Sequence, residues 1–321
     1  MFLDKYFFGE SEIVLPRRIE SPEELIRLCE EDFELRLENV ASSVIRDCKD
    51  GGVRLISLSG PTCAGKTTAA KKLTVALEAA GYAVHLVSID DFFYDREYLH
   101  DLAKKEGGAD ELDYDSVRAI DLYCLEECVN ALVGKGKASI PIFNFESGNR
   151  SSYRELVSHD EKENVYIFEG IQAVYPEVSA LFSWVRSRSV FIAPKRSIRI
   201  ENTLFAPEEI RLMRRIVRDK ERRGASPEFT LFLWKGVRAN EMSSIFPYAE
   251  GCDYFIDSTM GYEIHMLKPY LESALSDIPS ESVYFDKAQA MLSCVEGIEK
   301  ISPSLLPPFS LYYEFIHPLK S

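Results

Sequence analysis

SLSGPTCAGKTTAAKKL, residues 57–73, joins two kinds of text. Before it, Val53–Ser59 is a short apolar run suited to a buried strand; after it comes helical text. Between them Gly60, Gly65, Lys66 and Thr67 satisfy every fixed position of G-x-x-x-x-G-K-[ST]. Glycines let the backbone wrap so that several N–H groups point at phosphate oxygens, and the following helix adds the positive end of its dipole. Lys66 is placed to reach the β- and γ-phosphates, and the Thr67 hydroxyl to ligate Mg2+. Gly60, Ala64, Gly65, Lys66, Thr67 and Thr68 are therefore the expected ATP-binding residues of the loop. The cradle alone leaves open whether a phosphate is passed on or a nucleotide is only held.

Outward from the loop, short apolar runs alternate with longer helical segments. Residues 53–59, 83–89, 164–170, 189–194 and 252–257 read as buried strands. This rhythm predicts an α/β fold, a five-stranded parallel sheet of the P-loop NTP hydrolase type flanked by helices. The run 138–145 carries Pro141 and polar neighbours, which places it at an edge or in a hairpin. Upstream, residues 20–48 read as a helix with Ser21 as N-cap, Pro22 in the first turn and Glu24 completing a capping box. After Asp257 the rhythm stops. Two helical runs and an aromatic, proline-rich end follow, expected to pack on the body. The expected division is 1–52 as an N-terminal helical segment, 53–259 as the P-loop domain and 260–321 as a C-terminal helical extension.

Composition narrows the function classes. Nearly half of the 321 residues are hydrophobic, enough for a sizeable core. A net charge of −14 argues against nucleic acid as partner. The seven cysteines show no CxxC pair and read as reduced thiols. The N-terminal text lacks a signal-peptide pattern, and no apolar run is long enough to cross a bilayer. These features set the expectation of a cytoplasmic protein with a small-molecule partner and no membrane partner. A homo-oligomer is compatible with the sequence, which does not decide the oligomeric state.

Three further blocks carry charge suited to phosphate chemistry. SIDDFF, 88–93, closes the second strand and puts Asp90 and Asp91 at the edge where open α/β sheets bind ligands. A carboxylate there can accept a hydroxyl proton, hold Mg2+ or cap a turn. FEG, 168–170, puts Glu169 at the same edge, where an acid beside a phosphate cradle is expected near Mg2+. In IRLMRRIVRDKERRG, 210–224, Arg211, Arg214, Arg215, Arg218 and Arg222 share one helical face. Residues 186–223 hold twelve Lys/Arg against five Asp/Glu, a local positive field in an acidic chain. The arginine face reads as a lid that closes on ATP. No N-K-x-D motif of a GTPase switch is present.

Together these motifs resemble the uridine kinase family of the phosphoribulokinase/uridine kinase group, over about residues 53–257. SGPTCAGKTT looks like that family's phosphate loop. SIDDFF is similar to its S-x-D-x-F-Y block, which puts the catalytic Asp on Asp90. DYDSVRAID, 113–121, resembles its D-x-P-x-A-x-D block and implies Asp115 as the ribose-binding carboxylate. PIFNFESGNR, 141–150, is similar to P-x-Y-D-F-x-x-H-x-R and brings in Phe143 and Arg150 as substrate-binding positions. RLMRRIVRDKERRG resembles the lid, where Arg218 and Arg223 would contact phosphate and Arg215 would face the acceptor. The resemblance implies ATP-dependent transfer to a primary hydroxyl, a nucleoside 5′-OH first among them. Catalysis would then fall to Asp90, Lys66 and Arg218, with Mg2+ on Thr67, Glu169 and Asp90. A non-nucleoside alcohol or sugar phosphate, and a nucleotide-binding regulator, are the alternatives.

The sequence departs from that family where the base is read. Phe143, Gly148 and Ala225 stand where the family places Tyr, His and Arg. All three changes remove donors, so discrimination among bases is expected to fade. Gly148 in place of an imidazole is expected to leave room for a bulkier base.

Overall fold

The structure, a computed structural model, describes residues 7–105 and 114–317. Five apolar runs form one sheet: β1 Leu55–Ser59, β2 Ala83–Ser88, β3 Asn164–Glu169, β4 Ser187–Ala193 and β5 Tyr254–Asp257. The order is β2-β3-β1-β4-β5 and every pairing is parallel. This is the expected fold class. The carboxyl ends of β1, β2 and β3 lie side by side, which brings the phosphate loop, Asp90 and Glu169 to one edge.

The pleat assigns alternate residues to opposite faces. Ile56, Leu58, Val165, Ile167, Val190 and Ile192 enter one core, while Leu55, Tyr166 and Phe168 enter the other. The first core is covered by α1, Pro22–Gly51, and α2, Lys66–Ala79. Along α1 the buried Leu25, Cys29, Phe33, Leu37, Val40 and Val44 keep three- and four-residue spacing. Each large apolar side chain so buried contributes about 1.5–3 kcal/mol. The opposite face is covered by α3, Leu122–Lys135, and a two-stranded hairpin, Lys137–Asn144 with Asn149–Val157. Pro141 sits in that hairpin, whose strands pair only with each other among the described residues.

Three details differ from the sequence reading. Ser21 is the N-cap of α1 but makes no side-chain capping bond. Glu24 instead accepts from Arg27 at 2.6 Å, an ionic partner one turn away. A small sheet formed by Phe7–Phe8, Glu12–Leu15, Ser197–Ile200 and Thr203–Phe205 is absent from that reading. Its strands span two to four residues, too short for alternation to register.

The third difference concerns the arginine helix, α4, Pro207–Arg223. It is docked along α5, Glu263–Leu275, with Ile210, Met213, Ile216 and Val217 in the first core. Beyond α6, Phe285–Val295, the aromatic end packs back on the body as expected, and Leu311, Tyr312, Phe315 and Ile316 are fully buried.

Candidate active site

The chain between β1 and α2 forms the cradle at the carboxyl edge. Gly65 adopts a left-handed φ of 96°, and Lys66 and Thr67 open α2 just after it. Lys66 Nζ donates back to the loop's own carbonyls, Gly60 O at 2.8 Å and Pro61 O at 3.1 Å. Ala64 is buried beneath the loop, Thr67 is exposed on the first turn, and Thr68 is half-buried behind it.

Asp90 and Asp91 open a 3-10 turn after β2 and separate in role. Asp91 Oδ1 accepts from the Phe143 N–H at 3.2 Å, which ties the turn to the hairpin. Asp90 instead shares the electrostatic surroundings of Lys66 and Glu169. Burial and the neighbouring Glu169 carboxylate push its carboxyl up to about 7, with Asp115 and Asp91 adding and Lys66 opposing. Burial also raises Glu169, which Lys66 and a 3.1 Å hydrogen bond from Ser88 Oγ partly offset. Lys66, Asp90, Glu169 and Asp115 thus act within one electrostatic field. Asp90 therefore titrates above the ordinary aspartate range. Removing the Glu169 charge by Glu169→Gln is expected to move that titration to lower pH. Carboxyl carbon shifts of Asp90 followed by NMR against pH check this, and an unmoved midpoint would leave burial as the whole cause.

Asp115 lies in the segment between the helix Arg96–Lys105 and α3. Its backbone oxygen accepts from Tyr175 Oη at 3.0 Å, and the Tyr114 oxygen accepts from Gln172 Nε2 at 2.6 Å. Asp113, which starts the same sequence block, lies outside the described residues. Among the described residues, Gln172 Oε1 and Tyr114 Oη are buried without a hydrogen-bond partner. Neither atom was singled out from sequence, because burial and lost partners are not visible there.

Phe143 is 7% exposed and belongs to an aromatic cluster. Its ring meets Phe93 edge-on at 5.5 Å and Phe145 at 5.1 Å, with Tyr114 at 6.3 Å. Phe145 is the exposed member of this cluster. Arg150 directs its donors inward, to Phe93 O at 3.1 Å, Phe92 O at 3.0 Å and Asp121 Oδ2 at 3.0 Å. It holds the hairpin against the Asp90 turn, so its first role is positioning.

The space expected at Gly148 is filled. A Cβ there would lie 2.5 Å from Arg96 Nε and 2.7 Å from Arg96 Cζ, and φ is +72°. Arg96 NH2 donates to Phe145 O at 2.9 Å, and Gly148 O accepts from the Arg96 N–H at 2.7 Å. A guanidinium therefore stands where room for a larger base was expected. Arg96 lies 52 positions before Gly148, so no local pattern could have announced the pairing.

The arginine face of α4 divides into two environments. Arg211 pairs with Glu241, and Arg214 pairs with Glu263 at 2.7 Å, all four fully buried. Both also reach the phosphate loop, Arg211 to Thr62 O at 3.4 Å and Arg214 to Cys63 O at 3.2 Å. These two brace the loop's carbonyls and anchor the helix, rather than acting as part of a free lid. Arg215, Arg218 and Arg223 gather instead around Asp219 at 3.3, 2.7 and 3.9 Å. Three guanidinium groups on one carboxylate leave a surplus of positive charge. Arg218 lies within 3.5 Å of Thr62 Oγ1, beside the loop.

Magnesium needs no all-protein cage, since it keeps waters and takes phosphate oxygens. Among the described residues no three His, Cys, Asp or Glu side chains gather as a metal cluster. The Thr67 hydroxyl with the raised Asp90 and Glu169 carboxylates is the kind of partial donor set that suits this ion. Among the described residues no helix is long and apolar enough to cross a membrane.

A glycine-lysine loop between β1 and α2, on a parallel sheet with acids at the neighbouring strand ends, defines the class as a P-loop kinase fold. The model of the Phosphoribulokinase / Uridine kinase family matches residues 55–261, and the chain belongs to that family. "Uridine-cytidine kinase C" of Dictyostelium discoideum is 24% identical over 187 residues, 58% of this chain and 34% of that protein. The "Uridine kinase" of Halobacterium salinarum is 28% identical over 204 residues, 64% of this chain and 75% of that protein. "Inorganic pyrophosphatase TTM2" of Arabidopsis thaliana is 26% identical over 199 residues, 60% of this chain and 25% of that protein. The chain thus spans about a third or less of the Dictyostelium and Arabidopsis proteins. The family's name covers kinases for two unlike acceptors, so membership leaves the acceptor open.

Proposed function

We propose that the protein transfers the γ-phosphate of ATP to a hydroxyl of a small polyol, with a nucleoside 5′-OH as the first candidate. The observation that carries this reading is the shared field of Lys66, Asp90, Glu169 and Asp115 at one sheet edge. Thr67, Glu169 and Asp90 would hold Mg2+, which would supply positive charge to offset that of the phosphates. Lys66 exchanges the Gly60 and Pro61 carbonyls for β- and γ-phosphate oxygens. The acceptor oxygen bonds to the γ-phosphorus, the bond to the β–γ bridging oxygen breaks, and that electron pair leaves with ADP. Asp90, once ionised, takes the hydroxyl proton. Asp115 orients the acceptor through its vicinal hydroxyls. Arg218 and Arg223 cover the transferring group, where planar forks suit redistributed charge, and Arg215 faces the acceptor.

The phenylalanines of the cluster, Phe93, Phe143 and Phe145, offer stacking rather than donors. Stacking contributes about 1–3 kcal/mol per base and tolerates any base. Uridine is therefore expected to be preferred over the best purine nucleoside by less than roughly tenfold in kcat/KM, about 1.4 kcal/mol. Arg96 favours a second reading, an acceptor with an anionic group such as a sugar phosphate. A kcat/KM series over five nucleosides and a set of phosphorylated and carboxylated polyols, for the protein and Arg96→Ala, separates the two. Loss of turnover in Arg96→Ala confined to anionic acceptors would carry the second reading. A several-hundredfold uridine preference would show that other residues read the base.

A further inference from the structure

The chain end returns to the phosphate loop. Leu311–Glu314 forms one 3-10 turn whose position is held from several sides. Tyr312 Oη donates to Glu263 at 2.6 Å, and its ring meets Tyr262 and Phe315 edge-on at 5.1 and 5.6 Å. Arg214 lies over the Phe315 ring, 5.1 Å from its centroid. Arg222 donates to the Tyr313 and Ile316 carbonyls. Anchored in this way, the turn lays two side chains on the cradle. Leu311 sits so close to Gly65 that a Cβ there would overlap its Cδ1. Glu314 Oε1 accepts from the Thr68 N–H at 2.5 Å.

That N–H is one of the amides at the start of α2 that lack a helical partner. Such amides, together with the helix dipole, are what bind phosphate oxygens in a loop of this kind. A carboxylate presents the same sign of charge and the same acceptor oxygens as a phosphate edge. Glu314 also acts on the rest of the site. After burial, it is among the charges that raise Glu169, and it supports the charge on Arg218.

We propose that Glu314 is a built-in anion that occupies a phosphate-oxygen position of the cradle and competes with an incoming polyphosphate. The proposal rests on the reading of this loop as the donor site. Tyr312 and Phe315 are fully buried whereas Glu314 is half-buried, so the exchange is a swing of one side chain over a fixed turn. The Thr68 amide stays satisfied while the cradle is empty. The apparent affinity for a polyphosphate falls by the fraction of molecules in which Glu314 has moved aside.

Calorimetric titration of the full chain, Glu314→Gln and Glu314→Ala tests this, with ADP and inorganic tripolyphosphate as probes and circular dichroism to check folding. Both variants are expected to bind both probes about tenfold more tightly, a gain of about 1.4 kcal/mol. Arg222→Ala keeps the carboxylate but frees the turn, and is expected to move affinity the same way by a smaller factor. Equal binding by the protein and both Glu314 variants overturns the competition while the donor site stands. Weaker binding in the variants also overturns it, because Glu314 would then help to hold the ligand. No binding of either probe by any of them removes the donor site, and the competition with it.

Discussion

Asp90→Asn is expected to lower turnover about 10²–10⁴-fold, the usual range for loss of a general base, with ATP binding nearly intact. Asp91→Asn is expected to do far less to turnover. The reason is positional: Asp91 is engaged with the Phe143 N–H of the hairpin, while Asp90 shares its field with Lys66, Glu169 and Asp115. Weakening the Asp91 bond costs about 1 kcal/mol of stability, the size of an ordinary hydrogen bond. Steady-state rates with ATP and the best acceptor, paired with nucleotide titration, compare the two variants. If the variants behaved in reverse, the base would be Asp91.

The second large effect concerns folding. Arg214→Met would leave the Glu263 carboxylate fully buried with, among the described residues, only Tyr312 Oη and the Met260 N–H as donors. Removing one partner of a buried pair costs about 3–5 kcal/mol. The double change Arg214→Met/Glu263→Met is expected to recover part of that loss, because no unpaired charge remains. Arg218→Ala, four residues along the same helix, is expected to lower kcat more than it raises the KM for ATP, with a smaller stability change. Urea unfolding midpoints and the kinetic constants of these variants form the comparison. A marginal stability loss in Arg214→Met would mean that water reaches the Glu263 site.

Both predictions depend on a division that the arginine face did not reveal by itself. A three- and four-residue spacing shows that Arg211, Arg214, Arg215 and Arg218 project together. It does not show what they meet. Glu241 and Glu263 lie 30 and 49 residues further on, and only the packing of α4 against the turn Glu241–Ile245 and against α5 turns two arginines into buried braces of the phosphate loop. Gly148 is a similar case. An open site follows from its missing side chain, but the fold lays the Arg96 guanidinium there.

The sequence alone determined the parallel sheet, the phosphate loop and the acids at the strand ends. All three are local: buried strands are written as apolar runs, the cradle as fixed glycines and a lysine, and a strand end as the residue after the run. The hairpin around Pro141, the long N-terminal helix and the packed aromatic end were legible for the same reason. Tertiary structure decided that Asp91 holds the hairpin, which arginines are anchors, and what stands beside Gly148. It also brought Glu314 to an amide 246 residues earlier in the chain. Such contacts join segments whose local patterns are independent of one another. Their energy comes from burial and charge pairing once the sheet and helices have closed, and no residue's own neighbours encode it.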